Sequence, residues 1–312
     1  MDLLGDIFSV LKVHASLYFR ATLRKPFAIR VPADGQRMRF HVAGVGRTWL
    51  GIPGGEGITL EPGDLALVPH GSAHILADAP DTPALPLKDV LSRATPERVG
   101  HLSYGGRGDR SVLVCGHFAF LDSPAHPVLV SLPRLIHIPA RFGLDYRWFE
   151  LVLRHMAEES RVGLPGHEAV LERLSEVLLM QALRAHVEHD RLSAPGLRAL
   201  TDPSLRRALT ALHADPAAKW TVETLARTAY LSRTGFAGRF REHFGMPPMH
   251  YLTLWRLQKA RALLLDGGLQ VKEVVRAVGF ASESAFSRAF KAQFGSAPGA
   301  QRGKRRAGAR GR

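Results

Sequence analysis

The sequence predicts an α+β protein of two domains: an N-terminal β-barrel with flanking helices, and a C-terminal all-α domain built from a duplicated unit. Short apolar runs separated by glycine and proline turns fill residues 25–140, a pattern typical of a sandwich or barrel. Beyond residue 203 the apolar spacing becomes helical, and one segment recurs at an offset of 49 to 50 residues. Charge follows the same division, because the whole net charge of +14 lies in residues 195–312.

Composition excludes several classes of protein. Cys115 is the only cysteine among the 312 residues, so an intrachain disulfide or a cysteine-based zinc finger is impossible. The first 20 residues contain no basic leader ahead of an apolar run, and no stretch is apolar for long enough to cross a bilayer. The sequence therefore predicts a cytoplasmic protein. Its basic last third predicts a polyanionic partner, and charge alone leaves DNA, RNA and a membrane surface as alternatives.

The N-terminal part is predicted to begin with an amphipathic helix over residues 1–20 and to continue as short strands. Residues 78–108 are rich in proline, glycine and polar side chains, and they are predicted to form a long loop. Helical spacing returns over residues 146–190, where an apolar stripe indicates either domain core or a dimer face. Strands are expected at Phe27–Ile29, Arg47–Ile52, Leu65–Val68 and Ser111–Cys115.

These patterns divide the chain into four segments. The barrel and its helices are expected at residues 1–192, and a linker with proline, glycine and small residues is expected at 193–202. The helical domain is expected at residues 203–299. The remaining tail, residues 300–312, is rich in glycine, alanine and arginine and is predicted to be a disordered basic segment.

The duplicated unit has the features of a helix, a turn and a second helix. Ser232 and Ser282 occupy matching positions, where an N-cap residue accepts a hydrogen bond from an unpaired backbone N–H. Three phenylalanines spaced four residues apart follow each serine and predict a buried helix face, and a glycine then ends each helix. The opposite face carries arginine and lysine, so each copy is predicted to be a helix-turn-helix. The matched residues are Val222 with Val271, Arg227 with Arg276, Ser232 with Ser282, Phe236 with Phe286, Phe240 with Phe290, Phe244 with Phe294, Gly245 with Gly295 and Pro248 with Pro298.

A long amphipathic helix, from Pro248 to Leu265, is predicted between the two copies. A rigid connection of this kind would place two recognition helices in successive major grooves, about 34 Å apart on one face of DNA. The alternative is an all-helical interaction module in which the repeated stripe serves only as core. The serine caps, the closing glycines and the basic outer faces together favour DNA.

The segment from Leu231 to Arg302 resembles the DNA-binding region of the AraC/XylS family of transcription regulators, most specifically in the second copy. The resemblance implies that Ser232–Phe244 and Ser282–Phe294 are recognition helices, whose early outward positions read bases. The DNA-binding residues implied in the first helix are Ser232, Arg233, Thr234, Ala237, Gly238, Arg239 and Arg241, and those in the second are Ser282, Glu283, Ser284, Ser287, Arg288 and Lys291.

The first recognition helix departs from the family pattern, because Gly238 stands where a longer side chain, often arginine, is common. Strong base readout by this helix is therefore not assured by the resemblance. In the second helix, Arg288 is expected either to form two hydrogen bonds with guanine or to bind phosphate. The expected phosphate contacts are Arg241, Lys291, Arg256 and Lys259.

Residues 63–74 have the sequence GDLALVPHGSAH, which matches the second motif of the cupin β-barrel, G-x5-P-x-G-x2-H, and His41 matches the first motif. Ala43 stands where a metal-binding cupin has a second histidine, and no carboxylate follows where one is needed. Only His41 and His74 remain of the usual four ligands, a poor set for iron or manganese. No metal and no other cofactor is therefore expected. The candidate ligand contacts in the barrel are His41, Trp49, His70 and His74.

A cupin barrel ahead of an AraC-type region resembles family members with a sensor domain, and this resemblance covers nearly the whole chain. It implies a sequence-specific transcription regulator, an activator or a repressor, that binds double-stranded DNA and forms a homodimer. RNA polymerase and a small molecule in the barrel are the other expected partners, and no membrane partner is expected. No enzyme signature occurs, so no catalytic residue is expected. Two alternatives remain: a metal-dependent cupin enzyme fused to a nucleic-acid-binding module, and a non-specific nucleoid or RNA-binding protein.

Overall fold

Two compact units make up the described part of the chain. The barrel unit comprises the described residues within 13–120 and 133–189, and the helical unit comprises those within 3–10, 127–132 and 199–301. The predicted α+β class, with a β-rich unit and a separate helical unit, is confirmed. The computed structural model describes residues 3–10, 13–35, 37–55, 57–93, 101–120, 127–140, 146–162, 164–189, 199 and 202–301.

The barrel unit consists of two sheets. Its strands are β1 (Val13–Arg24), β2 (Ala28–Val31), β3 (Arg37–Val45), β4 (Thr48–Gly51), β5 (Gly57–Leu60), β6 (Leu65–Val68), β7 (His74–Ala77), β8 (Leu85–Pro86), β9 (His101–Gly105), β10 (Arg110–Phe120) and β11 (Ile136–Ile138). The larger sheet has the order β11-β6-β3-β10-β1-β9, and the smaller has the order β5-β4-β7-β2-β8. All four predicted strand positions therefore coincide with strands.

The core of the barrel unit lies between the two sheets. Leu23 and Leu113 from the larger sheet and Leu50 from the smaller sheet are each fully buried in one apolar cluster. Side chains alternate between the two faces of a strand, so the cluster residues within one strand lie two apart, as Leu113 and Cys115 do in β10. Burial of these aliphatic side chains is the main force that holds the sheets together.

The N-terminal segment differs from its sequence prediction. The structure has a short helix, α1 (Leu3–Val10), followed by β1, so the prediction of one helix through residue 20 is wrong. β1 pairs antiparallel with β10 along its length, from Val13 opposite Phe120 to Arg24 opposite Arg110. This long ladder satisfies the backbone groups of the segment, and tertiary pairing of this kind overrides a weak helical pattern.

The predicted long loop at residues 78–108 is also wrong in part. It contains β8, the helix α2 (Leu87–Arg93) and β9. β8 pairs with β2 and β9 pairs with β1, both in parallel, and Val90 of α2 is fully buried in the core. The many prolines and glycines of the segment are typical of a loop, so its composition did not indicate these short elements. They gain their stability from pairing and packing in the barrel rather than from local propensity.

Two longer helices cover the barrel unit, α4 (Tyr146–Val162) and α5 (His167–His189), and a short helix, α3 (Pro127–Val130), belongs to the helical unit. The apolar stripe of α5 is largely core, because Leu178 and Leu183 are buried. Ser175 lies on the same buried face, and its Oγ accepts a hydrogen bond of 2.6 Å from the backbone N–H of Ala15 in β1. Val170 and Val177 remain 38% and 41% exposed.

The helical unit contains α6 (Pro203–Ala214), α7 (Val222–Thr228), α8 (Arg233–Phe244), α9 (Pro248–Asp266), α10 (Val271–Ala277), α11 (Glu283–Phe294) and a 3-10 turn (Pro298–Gln301). The predicted order of two helix-turn-helix units, α7–α8 and α10–α11, joined by the long helix α9, is confirmed. α1 also packs here, against α6 and α9, although the sequence assigned it to the N-terminal part.

The internal duplication is visible in the backbone as well as in the sequence. At the start of α7, Thr221 and Thr224 form a reciprocal capping box, and at the matching start of α10 the backbone N–H of Gln270 donates to the side chain of Glu273. In the turn that follows, Tyr230 and Gly279 hold equivalent left-handed positions, with φ of 56° and 78°. Each donates its backbone N–H to the carbonyl of a matching arginine, three residues earlier.

None of the described helices is long and apolar enough to cross a membrane. The tail that was predicted to be disordered falls mainly at residues 302–312, which lie outside the described residues.

The left-handed turn of the second unit yields a stability prediction. A Cβ atom on Gly279 would lie 2.6 Å from the Cα of Ala217, and its φ of 78° already disfavours a side chain. We expect Gly279→Ala to lower the free energy of unfolding by about 2–3 kcal/mol, measured by equilibrium urea denaturation.

The matched control is Gly238→Ala. Gly238 lies inside α8, and an added Cβ would meet no atom within 4 Å. Alanine at this position should raise the free energy of unfolding by about 0.5–1 kcal/mol, because glycine is a poor helix former. Equal effects of the two substitutions would contradict the turn geometry described here.

Candidate nucleic-acid interface and barrel interior

The predicted recognition helices begin at serine caps. The Oγ of Ser232 accepts a hydrogen bond of 3.1 Å from the backbone N–H of Gly235, and the Oγ of Ser282 accepts one of 3.2 Å from Ala285. At the other end, glycines with left-handed backbone close both helices. The predicted caps are thus confirmed, and they fix where each helix starts and stops.

The phenylalanine stripes orient the two helices. Phe236 and Phe240 of α8 are buried, and so are Phe286 and Phe290 of α11. Neighbouring rings in each stripe lie 4.6 to 5.7 Å apart between centroids, a normal spacing for tilted aromatic pairs. Because these faces are buried, the opposite faces of both helices are held towards solvent.

The residues that the sequence assigned to DNA contact lie on these outward faces. Ala237 and Ser287 are partly buried, because they flank the phenylalanine stripes. The exposed members are Ser232, Arg233, Thr234, Gly238, Arg239 and Arg241 on the first helix and Ser282, Glu283, Ser284, Arg288 and Lys291 on the second.

Two of the outward arginines form ion pairs. The Nε of Arg233 lies 2.7 Å from a carboxylate oxygen of Glu223 at the start of α7. The Nη1 of Arg239 lies 3.6 Å from Asp202, whose other oxygen caps α6. Among the described residues, Arg241, Arg288 and Lys291 form no ion pair, so their charges are available to a polyanion.

Two of the four expected phosphate contacts have intramolecular roles instead. Arg256 donates hydrogen bonds to the backbone carbonyls of Pro216 and Ala218, at 2.7 and 3.0 Å. Lys259 binds the carboxylate of Asp6 in α1 at 2.8 Å. Both side chains therefore stabilise the helical unit, and the expectation that they contact phosphate lacks support from their geometry.

Asp6 takes part in a second contact that the sequence did not reveal. Its carboxylate accepts a hydrogen bond of 2.9 Å from Nδ1 of His213 in α6, while Nε2 of His213 lies 2.9 Å from the hydroxyl of Tyr251 in α9. The imidazole also stacks on Trp255, with 4.1 Å between the ring centroids. Burial lowers the pKa of His213, although the Asp6 carboxylate acts in the opposite direction.

Inside the barrel unit, a chain of hydrogen bonds joins His74, His41 and Cys115. The Nδ1 of His74 lies 2.9 Å from the carbonyl of Ser72, which can only accept, so this nitrogen carries the proton. The Nε2 of neutral His74 must then accept from Nε2 of His41, at 2.8 Å. The Nδ1 of His41 is left as an acceptor for the Cys115 thiol, at 3.2 Å.

The pKa values of these three groups agree with neutral forms of all three side chains. Burial is the main cause that lowers the pKa of His74 to about 4, and burial is also the main cause that holds the pKa of His41 well below its usual value, with the charge of Arg39 acting in the same direction. Burial raises the pKa of the Cys115 thiol to about 12. All three groups are therefore uncharged near neutral pH.

The residues present do not fit a cupin metal site. His41 and His74 use their Nε2 atoms to bind each other, and the other ring nitrogen of His41, Nδ1, accepts from the protonated thiol of Cys115. The described residues include no group of three histidine, cysteine, aspartate or glutamate side chains that could hold a metal ion. The guanidinium of Arg39 adds positive charge beside the pair, which further disfavours a cation.

A small cavity lies beside the hydrogen-bonded series of His74, His41 and Cys115. Its free space is about 20 Å³, enough for one water molecule. Of the four candidate ligand contacts, only His41 lines it, and His74 adjoins it through His41. The lining residues are Ala21, Leu23, Ile29, Val31, Arg39, His41, Leu76, Leu87 and Cys115.

The other two candidates lie elsewhere. The ring of Trp49 covers Gly51 and Gly57, where a Cβ atom would meet it at 2.0 and 2.4 Å, so Trp49 packs across its own sheet. His70 lies half-buried in the turn between β6 and β7. Neither residue lines the cavity, so the expectation that they contact a ligand there is not supported by their positions.

Sequence reasoning missed Arg39 and Cys115. A signal for Arg39 existed, because residues two apart in a strand share a face and Arg39 precedes His41 by two. Cys115 lies directly opposite His41 in the pairing of β10 with β3, a register that a single sequence does not reveal.

The buried histidine pair yields a pH prediction. His74 has a pKa of about 4 in the folded protein and 6.5 when exposed, so the unfolded state binds this proton more readily. Its contribution to stability is complete above pH 6.5 and is lost as the pH falls towards 4, by about 3 kcal/mol. Urea denaturation at pH 7 and pH 4.5 measures the loss.

The comparison variants are His74→Asn and His101→Asn. The first should reduce the difference in stability between the two pH values, because the titrating group is gone. The second removes an exposed histidine and should leave the difference as in the wild type. An unchanged pH dependence in His74→Asn would contradict the neutral, buried state of this residue.

Comparison with known proteins assigns a family to each unit. Residues 2–188 match the family described as Cupin, and residues 225–304 match a helix-turn-helix domain family. An AraC-like transcription regulator of Streptomyces lividans is 32% identical over 96% of this chain and 97% of its own. AlkR, an HTH-type transcriptional regulator of Acinetobacter baylyi, is 29% identical over 96% and 98% of the two chains. RclR, an RCS-specific HTH-type transcriptional activator of Escherichia coli, is 30% identical over 85% and 84%.

These similarities run through both units and extend over nearly the full length of the relatives. They agree with the fold, in which a β-rich unit precedes two helix-turn-helix units with exposed basic faces. The chain is therefore a member of the AraC family of DNA-binding transcription regulators, with a cupin domain ahead of its helix-turn-helix domain.

Proposed function

We propose that the chain is a sequence-specific regulator whose DNA binding is controlled by a small molecule in the barrel unit. The observation that carries the proposal is the pair of serine-capped helices, α8 and α11, whose phenylalanine faces are buried and whose polar faces are exposed. Helices of this kind enter the major groove with their first turns against the bases. Unpaired cations on the same faces supply the salt-dependent affinity for phosphate.

The proposed contacts divide into two classes. Arg288 reads guanine, because its exposed guanidinium can form two hydrogen bonds with O6 and N7. Arg241 and Lys291 lie further along their helices and bind phosphate, as does Arg239 when it leaves Asp202. The base-reading positions are Arg233, Thr234, Ala237 and Gly238 in the first helix and Glu283, Ser284, Ser287 and Arg288 in the second, with Ser232 and Ser282 setting the helix starts.

The proposed effector site is the cavity beside His41. One side of it is polar, with Arg39, His41 and Cys115, and the remaining walls are aliphatic. Its free volume of about 20 Å³ is too small for a metabolite, so an effector must displace side chains as it binds. Regulation follows if the displaced arrangement has a different affinity for DNA.

A homodimer and RNA polymerase complete the proposal. On α5, Val170 and Val177 are exposed and lie seven residues apart, two turns of one helix face. Two exposed aliphatic side chains on one helix face can bury apolar area against the same face of a second copy. We propose this face for the dimer, and activation of transcription through contact with RNA polymerase.

The test compares two substitutions in α11. Duplexes bound by the protein in its host are first mapped across the genome, and the affinity for one of them is then measured by fluorescence anisotropy at several salt concentrations. Arg288→Ala should cost about 1–3 kcal/mol on the bound sequence and remove the preference at one base pair. Lys291→Ala should weaken all duplexes alike and reduce the salt slope by about 1.

The two variants act as controls for each other, because both remove one exposed cation from the same helix. Similar losses of sequence preference in both would contradict the assigned division between base and phosphate contacts. Equal affinity of the wild type for every duplex at physiological salt would contradict sequence-specific regulation itself.

A further inference from the structure

The ion pair between Glu223 and Arg233 joins the first turns of α7 and α8. Its two atoms, Nε of Arg233 and Oε1 of Glu223, are 2.7 Å apart, and the two side chains are 70% and 57% exposed. Exposed ion pairs contribute little to the stability of a fold. The consequence of this contact is therefore local: it holds one arginine side chain in a fixed position on the outward face of the first recognition helix.

The ion pair leaves the two terminal guanidinium nitrogens of Arg233 accessible to a base. Glu223 binds Nε, and the terminal nitrogens of Arg233 have no partner among the described residues. Those two nitrogens form the flat, two-pronged donor that matches O6 and N7 of guanine. An arginine that an ion pair restrains in this way loses less conformational entropy when it meets a base.

Glu223 is suited to this task because it is ionised. A hydrogen bond from its own backbone N–H, followed by one from Thr221, lowers the pKa of the carboxyl group, and the charge of Arg233 acts in the same direction. The start of a helix also favours a negative charge. Glu223 and Arg233 therefore carry opposite charges over the whole physiological pH range, and their contact is an ion pair.

The second helix-turn-helix carries the reverse arrangement. The internal duplication aligns Glu223 with Lys272 and Arg233 with Glu283, so both charges are inverted at the same two positions. No ion pair joins Lys272 and Glu283 in the described part of the chain. Glu283 is exposed at the first position of α11, and a glutamate there can accept a hydrogen bond from N4 of cytosine.

We propose that Glu223 is a positioning residue that presents Arg233 to a guanine, and that Glu283 selects a cytosine at the equivalent position of the second half-site. The two half-sites of the operator therefore differ in sequence, although the two units that read them are duplicates. This inference rests on the proposed sequence-specific function.

The proposal predicts opposite effects of Glu223 on affinity and on specificity. A carboxylate next to DNA repels the phosphates, so its removal raises the affinity for duplexes in general. The same removal frees Arg233 to reach phosphates or other bases, so the preference for guanine falls. A residue with only a structural role would change neither quantity in this way.

The experiment is an in vitro selection with the full-length protein and a library of duplexes with a randomised central segment. The proteins are the wild type, Glu223→Gln, Arg233→Ala, Glu283→Gln and the control Glu242→Gln. Glu242 is an exposed carboxylate near the end of α8, away from the pair, so its variant removes an equal charge. Enrichment at each base pair is read by sequencing, and anisotropy gives the affinities.

The wild type should enrich two unlike half-sites. Arg233→Ala should reduce the guanine preference in one of them about tenfold, and Glu223→Gln should reduce it at the same base pair by roughly fivefold. Glu223→Gln should also bind random duplexes at least as tightly as the wild type. Glu283→Gln should relax a cytosine preference in the other half-site only, and Glu242→Gln should leave both preferences unchanged.

Three results would overturn the inference: identical half-sites, an undiminished guanine preference in Glu223→Gln, or the same effect in Glu223→Gln and Glu242→Gln. A wild type that enriches no sequence at all would instead refute the proposed function. The two failures are therefore distinguishable within one experiment.

Discussion

The burial of the phenylalanine faces of α8 and α11 is the constraint on which the helical unit depends. Phe236, Phe240, Phe286 and Phe290 are each at most 1% exposed. Rotation of either helix would bring these rings into water, at about 1.5–3 kcal/mol for each side chain. Burial of the rings therefore fixes which face of each helix is turned outward, and the serine and glycine caps fix the position of that face along the helix axis.

The barrel unit depends on a different constraint, which is the need to pair its two buried imidazoles, His41 and His74. His41 and His74 lie in an apolar interior, where an unpaired imidazole would be costly. The chain from Ser72 through both rings to Cys115 satisfies them in their neutral forms. The hydrogen bond between the two imidazoles also joins β3 to β7, which belong to different sheets.

The sequence predicted the features that depend on local patterns. Serine caps, closing glycines and four-residue spacing all act within one helix, so they identified both helix-turn-helix units. Contacts between distant residues leave no such pattern. Lys259 and Asp6 are 253 residues apart, so their contact could not be inferred from the sequence, and Lys259 was predicted to bind phosphate instead. In the barrel, the motifs located His41 and His74 but not Cys115, and the pairing of β1 with β10 overrode the helical spacing before residue 20.

The most direct test of the central claim is methylation interference on a duplex that the protein binds in its host. Methylation of guanine N7 blocks contacts in the major groove, where the exposed faces of α8 and α11 are proposed to lie. Methylated guanines are expected to prevent binding in two segments about 10 base pairs apart, on one face of the duplex. Interference confined to one segment, or binding that tolerates N7 methylation throughout, would contradict that claim.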